Sequence, residues 1–417
     1  MGERIALQMK SERYQFVLGF VLLTSMAGVG IGIARVATSF YAVELHASTL
    51  QMGLISAAQS IGILLMALPV GIWIQQWGPK RLFILGSVLG GLVYAALTLH
   101  AQVLFLIVCT ALISFCMPLR FVSLNSVFLK HLEQLGEAKA GWFRGTHMLG
   151  FFLIGPVAAV SLISQFGFNG TFLWVAATFF LTAMIAPLVL SDEGIEREPE
   201  HSPKLRWSEI VKRLGLLKQH EDLRHASTIE FCSSAVMAYY GFFIVVIAMK
   251  SFGFSAAQAA SLVTIQGSVF VFALFVMGSF VQRLGYQRFY QVSFVLLIMS
   301  LLLLGLTQSA WWLWAGSIGL GLGQGMLHVI NFTFFAKVGE RIGIGQISGL
   351  TALAGPAGGL AGSLLGGGLG YWFGLQALFL PMALLFIGLL WRVRLLIPTS
   401  PMYPIKINPL PELESER

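Results

Sequence analysis

Gly71-Ile-Trp-Ile-Gln75-Gln76-Trp77-Gly78-Pro79-Lys80-Arg81 has a second copy in this chain, Gly278-Ser-Phe-Val-Gln282-Arg283-Leu284-Gly285-Tyr286-Gln287-Arg288, at an offset of 207 residues. The same offset, without a gap, pairs Ser48 with Ser255, Gln51 with Gln258, Gln59 with Gln266 and Lys130 with Lys337. Coincident Leu or Val pairs mean little in an apolar sequence. Coincident Gln, Gly, Arg and Lys pairs at polar turns point to a duplicated unit. A parallel repeat of hydrophobic units, related by an axis along the membrane normal, is an architecture of transporters.

The sequence around the repeat is that of a membrane protein. Of its 417 residues, 57% are hydrophobic and 11% charged, against about 25% charged in a soluble domain. Apolar spans read at roughly 14–37, 51–74, 82–99, 103–129, 141–164, 170–190, 227–249, 258–281, 289–307, 310–336, 344–367 and 375–395. Each is near the length of about 20 residues that an α-helix needs to cross a bilayer. The expected fold is therefore all-α and integral to the membrane: twelve transmembrane helices in two six-helix bundles. Residues 1–190 form the first bundle and 227–417 the second with a tail. Between them, 191–226 is a charged, proline-containing linker, within which Trp207 to Leu217 can form an amphipathic surface helix or serve as a tether. Tyr14 to Val36 is too long for the apolar core of a cleavable signal, about 7–15 residues.

Charge placement orients the chain. All but three of the 26 Lys and Arg fall in alternate gaps, in the span turns bordering them or in the tails; the exceptions are Arg35, Arg120 and Lys250. Basic residues gather on the cytoplasmic side, so both termini and the linker are expected to be cytoplasmic, in the inner membrane. The net charge of +8 then belongs to loops facing anionic lipid and implies no nucleic-acid partner. Cys109, Cys116 and Cys232 lie inside apolar spans without metal or disulfide spacing, which suits packing. No Walker-type loop and no cluster of acidic residues at a membrane surface is present, so neither an ATPase nor a membrane enzyme, cofactor or metal is expected.

The two copies that open this section resemble the signature of the major facilitator superfamily, G-x-x-x-D-[RK]-x-G-[RK]-[RK]. Gly71, Gly78, Lys80 and Arg81 fall on it, as do Gly278, Gly285 and Arg288 in the second copy. Its glycines permit a tight turn between packed helices. In the family the acidic position helps latch the two halves on the cytoplasmic side. Here that position is Gln75, and Gln282 in the repeat; a neutral amide keeps the hydrogen bond without its charge-assisted part. Gly150-Phe-Phe-Leu-Ile-Gly155-Pro156 is similar to the family's antiporter-associated G-x-x-x-G-P, with one extra residue between the glycines. Gly355-Pro356 opens a run in which Gly358, Gly362, Gly366 and Gly370 recur every four residues, on one helix face where backbones can approach closely.

Ionisable residues inside spans are expensive and mark function. Arg120 lies ten residues before Lys130, about 15 Å along a helix, which puts it near mid-bilayer. It also falls where the family's fourth-helix motif, R-x-x-Q-G, has its arginine. The repeat partner of Arg120 is Leu327, beside His328, so both halves offer a polar group at matching depth. Counting from Arg13 places Arg35 towards the outer interface. Glu230 is the one acidic residue able to enter a span, and His147 sits near the inner mouth of the fifth. From these residues we expect Arg120, Arg35, His328 and Asn125 to bind substrate, and Glu230, His328 and His147 to carry a coupling proton. The resemblance implies a monomeric secondary transporter using alternating access. Export of a small anionic metabolite in exchange for protons is the first reading, with a carboxylate siderophore or drug-like compound as candidates. Uptake or facilitated diffusion is the alternative.

Overall fold

The computed structural model describes residues 2–135, 140–190, 215, 217–342 and 344–396. Among the described residues the elements are helical: α1 Gly2–Glu44, α2 Thr49–Trp77, α3 Pro79–Ala96, α4 Val103–Leu135, α5 Ala140–Leu149 and α6 Gly155–Val189, followed by α7 Glu221–Phe252, α8 Ala256–Val276, α9 Gly278–Leu284, α10 Tyr286–Leu306, α11 Ala310–Ile342, α12 Ile344–Phe373 and α13 Phe379–Leu396. A π-helical turn, Gly150–Ile154, joins α5 to α6.

Helix α6 folds back on itself at Gly167, where φ is 66° and ψ −174°. Met277 breaks the helix that α8 and α9 otherwise share. With α6 divided at Gly167 and α8 taken with α9, the described residues pass twelve times from end to end, six passes per half. Among the described residues, eight helical segments are long and apolar enough to cross a membrane on length and composition, with Gly145–Val189 counted as one. Gly2 and Leu396 end on one face of the bundle, called here the terminal face. Most of the 191–226 linker, the Trp207–Leu217 stretch up to residue 214 included, lies outside the described residues. Its last part does not: α7 starts at Glu221.

The repeat is visible in local geometry. Ser48 caps α2 by accepting from the Gln51 N–H, while the Gln51 side chain accepts from the Ser48 N–H. Ser255 and Gln258 build the same capping box on α8, and the two capping serines share φ and ψ within a degree. This reciprocal pairing satisfies two orphan N–H groups at each helix start. At the other ends, Gly78 and Gly285 turn the chain at φ 82° and 76°, a region that costs other residues strain. Gly71 and Gly278 have open space where a Cβ would stand, so the turn of each copy rests on its second glycine alone.

The halves close against each other on the face opposite the termini. Gly53 of α2 meets Gly367 of α12 backbone to backbone, and Ser56 bonds Ser363 at 2.7 Å. Tyr239–Ala248 of α7 is buried without interruption, as expected for a helix ringed by neighbours. Three glycines of the α12 run face α7, Gly358 on Phe231, Gly362 on Ala235 and Gly366 on Tyr239, while Gly370 packs against Leu375 and Thr49. Both helices advance by one turn per contact, so the absent side chains let the backbones pack along a common ridge. Helices α1 and α5–α6 repeat the arrangement in the first half, with Gly28 against His147 and Phe151 and Gly32 against Gly155.

Candidate functional site

A cavity of about 300 Å³ lies between the halves. The first half contributes Arg35 from α1, His147 from α5, and Phe151 and Phe152 from the π turn. The second contributes Glu230 and Met237 from α7, Phe270 from α8, and Gln324 and His328 from α11. Four ionisable residues singled out in the sequence, Arg35, His147, Glu230 and His328, thus share one chamber.

Arg35 crosses from one half to the other. Its Nη2 donates to the Met237 carbonyl at 3.2 Å, and its guanidinium lies 5.3 Å from the centre of the Phe151 ring. The count from Arg13 misplaces it because α1 runs on to Glu44, nine residues past Arg35. Those residues span about 13 Å, which brings the side chain inward from the outer interface. Glu230 is the mirror case, nine residues into α7. Its Oε2 accepts from Asn331 Nδ2 at 2.9 Å, and Asn331 Oδ1 accepts from the Tyr290 hydroxyl at 3.2 Å. Asn331 also donates to the Ala226 carbonyl at 3.3 Å and is 1% exposed. This buried amide holds the carboxylate in one orientation.

His147 Nδ1 is 3.2 Å from the Thr24 carbonyl. A carbonyl only accepts, so Nδ1 bears the proton in this contact. The His328 ring stands 5.8 Å from that of Phe270. Gln324, His328 and Asn331 follow at i, i+4 and i+7 on α11, forming one polar stripe. Gln324 accepts from Gln266 at 3.1 Å and reaches the Ser233 carbonyl at 3.5 Å. The sequence reading found His328 and missed its two companions. Their helical spacing was the available signal.

The π turn explains the extra residue in Gly150–Pro156. The Gly155 N–H bonds the Gly150 carbonyl, five residues back. The inserted residue is absorbed as a bulge, and both glycines stay on α1: Gly150 against Ser25 and Val29, Gly155 against Gly32. On α12, a Cβ at Gly355 would stand 3.5 Å from Ser234 Oγ and 3.9 Å from Glu230 Oε1. The Gly355–Pro356 pair therefore lies beside the carboxylate that faces the cavity.

Arg120 and Asn125 do not line this chamber. Arg120 is 2% exposed inside the first bundle, 3.7 Å from the centre of the Phe179 ring and 5.5 Å from that of Phe83. Its Nη2 donates to Thr182 Oγ1 at 3.1 Å, while Nε and Nη1 have no hydrogen-bond partner among the described residues. Arg120 stands midway along α4, and its side chain points towards α3 and α6 instead of the partner half. Asn125, five residues on along α4, is half-buried. In the repeated turns, Gln75, Arg81 and Arg288 are exposed and Lys80 is half-buried. The Gln282 side chain lies outside the described residues.

Comparison with known proteins agrees with this architecture. The sequence pattern of the Major Facilitator Superfamily matches residues 20–225 and again 226–416. "Multidrug resistance protein 2" of Bacillus subtilis (strain 168) is 26% identical over 297 residues, covering 69% of this chain and 72% of the relative. A variant of the nucleoside transporter NupG superposes with a TM-score of 0.76 at 14% identity, over 92% of this chain and all of that one. A bacterial homologue of the human lysosomal transporter Spinster, inward-facing and unoccupied, gives 0.70 at 14% identity over 91% of this chain and 95% of its own. The human organic anion transporter MFSD10 (TETRAN) gives 0.64 at 16% identity, over 91% and 97% respectively. With matches across both halves of the chain, six helical passes in each and a polar chamber between them, this multi-pass membrane protein belongs to the Major Facilitator Superfamily and is a transporter.

Proposed function

We propose that this chain is a proton-coupled exporter of a small carboxylate-bearing metabolite, working by alternating access about the chamber between its halves. The observation behind this reading is that one cavity holds Arg35, Glu230, His147 and His328, with side chains from both halves. A chamber walled by both halves changes its exposure when the halves rock. Arg35 offers a guanidinium fork suited to a carboxylate. Glu230 and the two histidines supply groups able to take and release a proton. The multidrug-resistance name of the Bacillus relative favours the outward direction, and the organic-anion name of one structural neighbour accords with an acidic cargo. The basic-residue bias supports a cytoplasmic terminal face in the inner membrane.

Purified protein in liposomes, with an imposed pH gradient, tests the coupling. Cargo transport against its own gradient should fail in Glu230→Gln or His328→Ala, while exchange of cargo at equal pH on both sides persists. Uphill transport that stays normal in both variants and in the double variant would remove the coupling role. Movement with the proton gradient in the same direction would make the chain an importer.

A further inference from the structure

Glu230 stands between two amide contacts that tie α7 to α11. Three residues past it, the Ser233 carbonyl accepts from Gln324 Nε2 at 3.5 Å; four residues before it, the Ala226 carbonyl accepts from Asn331 Nδ2 at 3.3 Å. The same Asn331 nitrogen donates to Glu230 Oε2 at 2.9 Å, and Asn331 Oδ1 accepts from the Tyr290 hydroxyl of α10 at 3.2 Å. Asn331 and Tyr290 are each 1% exposed, so bulk water does not replace a lost partner. Chemistry fixes the polarity of this network. A carbonyl only accepts, so the edge of the Asn331 amide at Ala226 is the nitrogen. Its two hydrogens serve Ala226 and Glu230, and Oδ1 faces a hydroxyl that can donate. Turning the amide over would set Oδ1 against the Ala226 carbonyl, two buried acceptors with no proton between them.

We infer that Asn331 is the positioning residue for proton transfer at Glu230: it keeps an N–H against Oε2 in both protonation states, so that the transported proton is carried on Oε1. The inference rests on Glu230 being a coupling carboxylate and assigns the oxygen within that reading. Protonation forms one O–H bond at Oε1, with the proton drawn from the chamber. Oε2 then becomes the carbonyl oxygen of the acid and still accepts from Asn331. A proton on Oε2 would instead meet the Asn331 N–H, donor against donor, where the Ala226 carbonyl keeps the amide from turning. Oε1 is the oxygen on the α12 side: a Cβ at Gly355 would stand 3.9 Å from it. The proton therefore comes and goes at the edge of the carboxyl group beside Gly355–Pro356, while the edge tied to α11 keeps its bond. Among the described residues, the other ionisable groups lining the chamber are Arg35, His147 and His328; Tyr290 is the titratable group behind Asn331.

Infrared difference spectra of the purified protein, recorded between alkaline and acid pH, read this arrangement. The C=O stretch of protonated Glu230 is the band that vanishes in Glu230→Gln. In the parent it should lie at the low wavenumber of a carbonyl that accepts a hydrogen bond. Asn331→Leu removes the donor and should move the band to higher wavenumber. Tyr290→Phe keeps the ring and removes the hydroxyl that holds the amide; it should move the band in the same sense by less, and it decides the case if Asn331→Leu does not fold. A side chain that merely packs α11 in place leaves the band where it is. A Glu230 band unmoved by Asn331→Leu, or unmoved by Tyr290→Phe where the first variant does not fold, overturns the inference and leaves the coupling role of Glu230 standing. A parent with no Glu230 band at any pH overturns that coupling role, and the inference with it.

Discussion

The guanidinium of Arg35 lies against Gly241 so closely that a methyl group there would overlap Nη2. The arginine of the first half thus reaches the second through a gap left by a missing side chain. It bonds the Met237 carbonyl, the same acceptor that the Gly241 N–H uses within an α-helix. Gly241→Ala should expel the guanidinium without disturbing a helix that alanine favours. Carboxylate cargo should then bind about tenfold more weakly, a loss of about 1.4 kcal/mol, matching Arg35→Ala. The double variant should lose no more than either single one. Calorimetric titration of the three proteins checks this, and an undiminished affinity in Gly241→Ala would remove Arg35 as the anchor.

The Ser56–Ser363 bond at 2.7 Å joins α2 to α12 beside the Gly53–Gly367 contact. If these ends part during the cycle, a covalent bond between them stops it. Ser56→Cys with Ser363→Cys, in a background lacking Cys109, Cys116 and Cys232, should transport normally when reduced. Oxidation should cut transport by more than tenfold, and a reductant should restore it. Full activity of the oxidised, cross-linked protein would mean that this contact stays shut throughout.

Removing Leu153 would turn the π turn into an ordinary α-helical one and leave Gly-Phe-Phe-Ile-Gly-Pro. Leu153 is 40% exposed, so little packing is lost with it. The glycines would still lie one turn apart and could both stay on α1. The phenylalanines between them would not, because one residue is worth about 100° of helix rotation. Either the Phe151 contact with Arg35 or the Phe152 contact with Phe270 should break. We expect helicity by circular dichroism unchanged and cargo affinity lowered about tenfold. Wild-type affinity in the deletion would assign the bulge to packing alone.

Arg120 packs between two rings and bonds Thr182, outside the cavity. Arg120→Ala should therefore act on stability, costing about 3 kcal/mol through the cavity it leaves. Arg120→Met fills most of that volume and buries no charge, so its cost should stay within about 1 kcal/mol. Neither should change cargo affinity by more than about twofold. Thermal unfolding in detergent alongside binding measures both, and a tenfold affinity loss in Arg120→Met would return this arginine to the cargo site.

The sequence by itself determined the membrane class, the twelve passes and the duplication. Each rests on local physics: apolar length, capping-box residues such as Ser48 with Gln51, and the positive φ that Gly78 and Gly285 require. It also singled out Arg35, His147, Glu230 and His328, since an ionisable group in an apolar span is rare enough to stand out. Tertiary structure alone decided which of these meet. Depth along a helix can be counted, but the direction a side chain faces depends on how that helix is rotated against its neighbours. Arg120 and Arg35 illustrate the difference. Arg120, midway along α4, turns into its own bundle; Arg35, which a count from Arg13 sets at the outer edge, reaches the chamber because α1 extends further and Gly241 leaves room. Asn331 was passed over for a related reason. An amide in a span attracts little notice until the fold sets it 2.9 Å from a carboxylate on another helix.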